Sequence, residues 1–256
     1  MKITTTVIAT ILCAPLAHAT VISSYALGEA GSVGSAPTYV SLVDSVGPVS
    51  SDFTHFQAPA GSSVSIVSPG SGGAPGSTAA ISISSPTRNA GFYMSTNSHN
   101  LTNNWNLELW FKTPDLAGPS NGWVVAATDT STNGVSVELF NGKFNLLTGN
   151  FATRFEGTTP AASYSINTWY KINLRDIDNE LSLFVNDVSV VTVTDAQLPY
   201  SNLGNLMLGL GPSAPLQRGV NGVFDEVRVT SVPEPSSVAV PLGLGLVAVL
   251  GRRRRR

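Results

Sequence analysis

Trp105, Leu107, Leu109 and Phe111 alternate with Asn106, Glu108, Trp110 and Lys112. A period of two residues marks a strand with one face buried. The same period recurs at Val135, Val137 and Leu139, interleaved with Ser136 and Glu138, and at Tyr170, Ile172 and Leu174, interleaved with Lys171 and Asn173. Leu181, Leu183 and Val185 follow the polar run Asp176-Ile177-Asp178-Asn179-Glu180, which predicts a hairpin turning through that run. Asn186-Asp187 predicts a second tight turn, leading into residues 190–193. Further strands are expected at Leu206, Leu208 and Leu210 and over residues 223–229. Outside the two chain ends no window carries the 3.6-residue period of a helix. Antiparallel strands with one apolar face must pair as two sheets, so the pattern predicts an all-β sandwich. Trp105, Leu107, Leu109, Phe111, Ile172, Leu174, Leu183 and Val185 are its expected core.

The two ends follow a different logic. Lys2, an apolar stretch over residues 7–16 and the small-x-small site Ala17-His18-Ala19 make an export signal, cut between Ala19 and Thr20. Cys13 is the only cysteine and leaves with that signal; Leu12 stands where a lipoprotein signal needs a small residue. The mature chain therefore has no disulfide or thiolate chemistry. At the other end Val232, Pro233, Glu234 and Pro235 precede an apolar run over residues 238–251 and then Arg252, Arg253, Arg254, Arg255 and Arg256. The prolines hold their segment extended and open to a protease. The apolar run has 14 residues, about 21 Å as a helix, against about 30 Å of bilayer core. It is a short anchor, weakened by Pro241, Gly243 and Gly245. The arginines would stay cytoplasmic and act as a stop.

This tail resembles the PEP-CTERM sorting signal of exopolysaccharide-producing Gram-negative bacteria, in which an exosortase is understood to cut near the Pro-Glu-Pro. The resemblance implies an exosortase partner, transient residence in the inner membrane through a C-terminal helix, and delivery to the cell surface or outside the cell. An uncleaved tail anchor is the other reading of the same segment.

One domain is expected between the signals: residues 1–19 as signal peptide, 20–231 as sandwich, 232–256 as sorting signal. No internal repeat of 20 to 50 residues is present, which excludes a solenoid. Residues 68–76, Ser-Pro-Gly-Ser-Gly-Gly-Ala-Pro-Gly, are expected to form a mobile loop. Both signals together hold six of the 14 basic residues, so the mature chain keeps eight against 16 acidic ones when Glu234 is retained, a net charge of −8. An acidic surface excludes nucleic acid as a partner.

Tyr25-Ala-Leu-Gly-Glu-Ala30, Leu107-Glu-Leu-Trp-Phe-Lys112, Thr168-Trp-Tyr-Lys171, Leu181-Ser-Leu-Phe-Val-Asn-Asp187 and Phe224-Asp-Glu-Val-Arg-Val229 occur in the order seen in laminin-G-like domains. The chain resembles that family, part of the concanavalin-A-like jelly-roll superfamily. The resemblance implies a two-sheet antiparallel jelly roll that binds carbohydrate or protein, and fold alone does not choose between them. Some superfamily members are glycoside hydrolases with alternating carboxylates on one strand. The nearest match is Asp176-Ile-Asp178-Asn-Glu180, which starts with the shorter acid and falls at an expected turn. His55 and His99, the mature chain's histidines, lie in no nucleophile or zinc motif. The expectation is a protein without catalytic residues or cofactor.

Calcium is the one ion to consider, through Asp225, which shares parity with Val223, Val227 and Val229. Arg228, backbone amides or a tyrosine hydroxyl would satisfy that carboxylate equally well. Trp110 and Phe184 point away from their strands' apolar stripes and are candidate stacking platforms for a sugar ring. The functional expectation is a non-catalytic surface or matrix protein whose lectin-like sandwich binds glycan, the exopolysaccharide of the same cell being one candidate. A structural or adhesive module contacting proteins is the alternative, and a degenerate hydrolase using Asp176, Asp178 and Glu180 a remote third.

Overall fold

Strands that place an apolar side chain on one face at every second residue are stable only when that face is covered, and here a second sheet covers it. The computed structural model describes residues 19–25, 27, 55–57, 62–85, 91–93, 99, 101–102, 104–115, 122–129, 133–149, 151–194, 202–209 and 219–232. The first sheet runs in the order β13 (Val188–Thr194), β12 (Glu180–Val185), β11 (Tyr170–Ile177), β6 (Trp105–Lys112), β15 (Gly222–Ser231), β4 (Ala80–Ser84) and β3 (Ser63–Val67), with β1 (Val21–Tyr25) also paired to β15. The second runs β10 (Thr153–Glu156), β9 (Lys143–Gly149), β8 (Gly134–Phe140), β7 (Gly122–Thr128), β14 (Asn205–Leu208), β5 (Gly91–Tyr93) and β2 (His55–Gln57). Every ladder between these strands is antiparallel. A single 3-10 turn, Pro160–Ala162, is the only helical element among the described residues. None of them forms a helix long and apolar enough to cross a membrane.

The core lies between the sheets. All eight residues expected inside are buried, and Phe224 joins them with its ring 5.1 Å from that of Phe111. Phe144 and Tyr170 close one end, edge to face at 5.1 Å. Residues Thr20–Val232 make up this unit. The expected export signal up to residue 18, the expected sorting motif from Pro233 through Pro235, the apolar run and the five arginines lie outside the described residues, as does Leu210.

Three hairpins turn on two residues with positive φ: Asn141-Gly142, Asp178-Asn179 and Asn186-Asp187. That backbone matches the right-handed twist of the flanking strands, and Asn, Asp and Gly tolerate it best. The turn after β11 is therefore shorter than the polar run predicts. Asp176 belongs to β11, opposite Leu181, and Glu180 already belongs to β12, opposite Ile177.

Two expectations about Asp225 and its surroundings are corrected. The alternation of β15 breaks at a β-bulge between Asp225 and Val227, where Glu226 takes φ 40°. One extra residue shifts the parity: Phe224, Val227 and Val229 face the core, while Asp225 lies opposite Trp110 on the outer face. The bulge falls where β4 stops pairing with β15 and β1 takes over. The Gly-rich stretch over residues 68–76 is tied down instead of mobile. Trp169 Nε1 donates to Pro69 O at 2.9 Å, and Ala74 N donates to Asp225 Oδ2 at 2.9 Å.

Candidate functional site

Alternation puts Glu108 and Trp110 of β6, Lys171, Asn173 and Arg175 of β11, and Ser182 and Phe184 of β12 on the outer face of the first sheet. At the β11–β12 end this face hollows into a groove of about 360 Å³ lined by Arg175, Ile177, Asp178, Glu180, Ser182 and Phe184. Register explains the grouping, since Arg175 pairs with Ser182 and Ile177 with Glu180, while Phe184 stands two pairs along, opposite Asn173. The Arg175 guanidinium lies 4.4 Å from the Phe184 ring centroid. Its Nε donates to Asn173 Oδ1 at 3.0 Å, and Asn173 Nδ2 donates to Glu108 Oε2 at 3.3 Å. Lys171 reaches Glu108 at 3.0 Å and Asp187 at 3.2 Å. These contacts, the Glu108 hydrogen bond above all, raise the Lys171 ammonium above its usual value of 10.5.

Of the two expected platforms, Phe184 lines the groove and Trp110 does not; Trp110 is half-buried, opposite Lys171 on one side and Asp225 on the other. The three carboxylates of the Asp-x-Asp-x-Glu run do not converge. Asp176 is buried on the core face with Leu174, whereas Asp178 and Glu180 are exposed at the groove. A pair of carboxylates must flank one bond to cleave it, so Asp176 on the core face cannot pair with Glu180 at the groove. His99 is buried against Ser23 and Tyr25. The side chain of His55 lies outside what the structure describes.

Asp225 is buried under the residue 68–77 loop. Oδ2 accepts the Ala74 amide, and Oδ1 faces the Ser77 hydroxyl at 2.8 Å, a hydroxyl that also sits 2.9 Å from Ala79 O. Gly73 makes the approach possible, because a Cβ there would stand 2.6 Å from Asp225 Oδ2 and 2.7 Å from Pro69 Cβ. Both oxygens thus take protein donors, and a backbone amide and a hydroxyl can satisfy a buried carboxylate. No cluster of three metal-binding side chains exists among the described residues.

The sequence gives no forewarning of a second polar constellation, on the outer face of the second sheet. Glu138 of β8 is fully buried and takes Arg154 in two bonds, Nε at 2.7 Å and Nη2 at 3.2 Å. Arg154 also lies 4.0 Å over the Phe140 ring, and the Trp123 side chain hydrogen-bonds Glu138. Trp123, Ala126, Leu147 and Phe151 form an apolar cluster on this face, with Met207 against it. Desolvation pushes the Glu138 carboxyl above its usual 4.5 despite the Arg154 pair. Glu138 was visible only as the polar member of an alternating strand; Arg154 sits in Thr-Arg-Phe-Glu, which carries no strand signal of its own.

Residues 88–237, more than half of the chain, match the laminin-G-type family model of the concanavalin A-like lectin/glucanases superfamily. The chain belongs to that superfamily. No curated protein matches it in sequence. Among solved structures, domain 4 of an extracellular GH43 arabinanase from Geobacillus stearothermophilus, in complex with arabinotriose, is 14% identical with a TM-score of 0.56, covering 84% of this chain and 93% of that one. A conserved carbohydrate esterase from the Shiga toxin-encoding bacteriophage phi24B is 11% identical with a TM-score of 0.54, covering 84% of this chain and 100% of that one. The botulinum neurotoxin serotype D binding domain is 13% identical with a TM-score of 0.53; the match covers 83% of this chain and 48% of the toxin chain. At such identities the likeness is one of fold. Within this concanavalin A-like sandwich, the β11–β12 groove is where an aromatic ring, a guanidinium and exposed carboxylates meet in one concavity.

Proposed function

We propose that this protein is an exported, non-catalytic carbohydrate-binding protein and that the β11–β12 groove receives the sugar. One observation carries the reading: Phe184 and the stem of Arg175 offer apolar surface inside a 360 Å³ groove rimmed by Ser182, Asp178 and Glu180. A sugar presents both C–H faces and hydroxyls, and a site with an aromatic anchor and a few convergent polar groups suits both. Superfamily membership supports it, as does the likeness to a domain solved with arabinotriose. Asp176 lies on the core face, apart from Glu180 at the groove, and this supports the non-catalytic reading. The terminal segments supply the destination: secretion after cleavage between Ala19 and Thr20, transient hold in the inner membrane, exosortase processing near Pro233-Glu234-Pro235, then the cell surface or the extracellular matrix. The exopolysaccharide of the same cell is then the ligand at hand, and no metal is needed to hold it.

A glycan array probed with the purified protein, with and without calcium, tests the reading. Selective binding is expected, unchanged by calcium and reduced about two- to tenfold in Phe184→Ala, in line with the roughly 0.5–1.5 kcal/mol of an aromatic contact. Absence of glycan binding together with capture of surface proteins would replace this reading with the adhesive one.

A further inference from the structure

Among the described residues, two cations on the outer face of the first sheet have carboxylate partners, while Lys112 and Arg175 lie against aromatic rings instead. Lys171 faces Glu108 and Asp187, Arg228 faces Glu226 at 3.6 Å, and Lys112 lies 4.8 Å over the Trp169 ring. Arg175 makes no ion pair among the described residues, although Asp178 and Glu180 line the same groove. Its Nε is engaged by Asn173 Oδ1, and its plane is held against Phe184. The anchoring is relayed: Asn173 Nδ2 donates to Glu108, and Glu108 also takes the Lys171 ammonium. That relay fixes the Asn173 amide with its oxygen toward Arg175. The guanidinium is thus clamped at Nε, while its two terminal nitrogens have no hydrogen bond among the described residues.

A guanidinium fixed in this way is a receptor for a planar, two-oxygen anion, because paired N–H donors match the spacing of carboxylate oxygens and the ordering cost is met in advance. We propose that the groove selects carboxylate-bearing glycans, uronic acids above all, with Arg175 as the residue that reads the carboxylate. This rests on the glycan reading of the groove and narrows it to a ligand class. Asp178 and Glu180 do not oppose it: both are exposed at the hairpin tip, where solvent weakens their repulsion, and each can accept a sugar hydroxyl. Ser182, opposite Arg175 in register, is hydrogen-bonded to Thr192 and adds a polar floor.

Binding of the full-length protein to polygalacturonate, to the same polymer with its carboxylates reduced to alcohols, and to dextran sulfate separates the possibilities. Polygalacturonate should bind at least about tenfold tighter than either of the others, the scale of one charge-assisted pair. Arg175→Gln should abolish that preference while leaving the thermal midpoint near wild type, since Arg175 is half exposed. Arg175→Lys, which keeps the charge and loses the fork, should also lose most of it. Equal binding of polygalacturonate and its reduced form, unaffected by Arg175→Gln, would overturn the carboxylate reading and leave glycan binding standing. Dextran sulfate bound as well as polygalacturonate, or full function in Arg175→Lys, would overturn planar recognition in favour of charge alone. Binding to none of the three, with an empty glycan array, would remove the glycan reading itself.

Discussion

At Glu138 burial and ion pairing act in opposite directions, and burial prevails: the carboxyl titrates above 4.5 even with Arg154 in two-point contact. A folded-state value above the unfolded one means that the folded protein takes up a proton first as pH falls. Above the folded value the full cost of the buried carboxylate is present. Between that value and about 4.5 stability rises on acidification. Glu138→Gln keeps the shape and removes the titration. Urea midpoints measured from neutral pH down to 4.5 should therefore show the wild type gaining on the variant as pH falls, and a constant difference would reject the argument. Single residues also mark where sequence reading stops. Glu226 at φ 40° inverts the faces of β15 on its first half, and nothing about a glutamate announces a positive φ, a conformation uncommon for any residue but glycine. Asp225 was thus correctly singled out as a buried carboxylate and assigned to the wrong face.

Strands covered on one side only were legible, and strands covered on both were not. β6 alternates buried and half-exposed along its whole length. β7 is buried at all seven positions, inside by the core and outside by the Trp123–Leu147–Phe151 cluster, so its Gly-Trp-Val-Val-Ala-Ala-Thr has no period to detect. β9 was readable by another route: Asn141-Gly142 is a strong two-residue hairpin signal, standing directly after the strand that holds Val135, Val137 and Leu139. The groove was legible in its parts, since Phe184, Asp178 and Glu180 all drew notice. Its assembly was not, because it depends on a two-residue turn that brings Arg175 opposite Ser182. The 68–77 loop shows how composition misleads: ten residues, nine of them of low complexity, are held by two carboxylate contacts and one indole. Gly73→Ala should force the loop off Asp225, destabilising the fold by about 1–3 kcal/mol as overpacking does. A urea midpoint equal to that of wild type would show that the loop can yield where the 2.6 Å approach says it cannot.

For the whole molecule, the proposed export and processing would set the surface the environment meets. Loss of the export signal and the arginine tail, with Glu234 retained, would turn a chain of net charge −2 into one of −8, an acidic body that repels anionic polymers except where a cation is clamped to receive them. Mass spectrometry of the protein recovered outside the cell should give Thr20 as the first residue and no arginine tail at residues 252–256; an intact tail in that fraction would reject exosortase processing. Where the processed ends lie has a mechanical meaning. Thr20 exchanges hydrogen bonds with Ser231, so the start of β1 and the finish of β15 sit side by side. β15 is an interior strand, flanked by β6 on one side and by β4 and β1 on the other. A protein held to a surface by its C-terminal end would feel drag along the axis of β15. Many ladder bonds would then bear the load together in shear, where an edge strand would peel away one bond at a time.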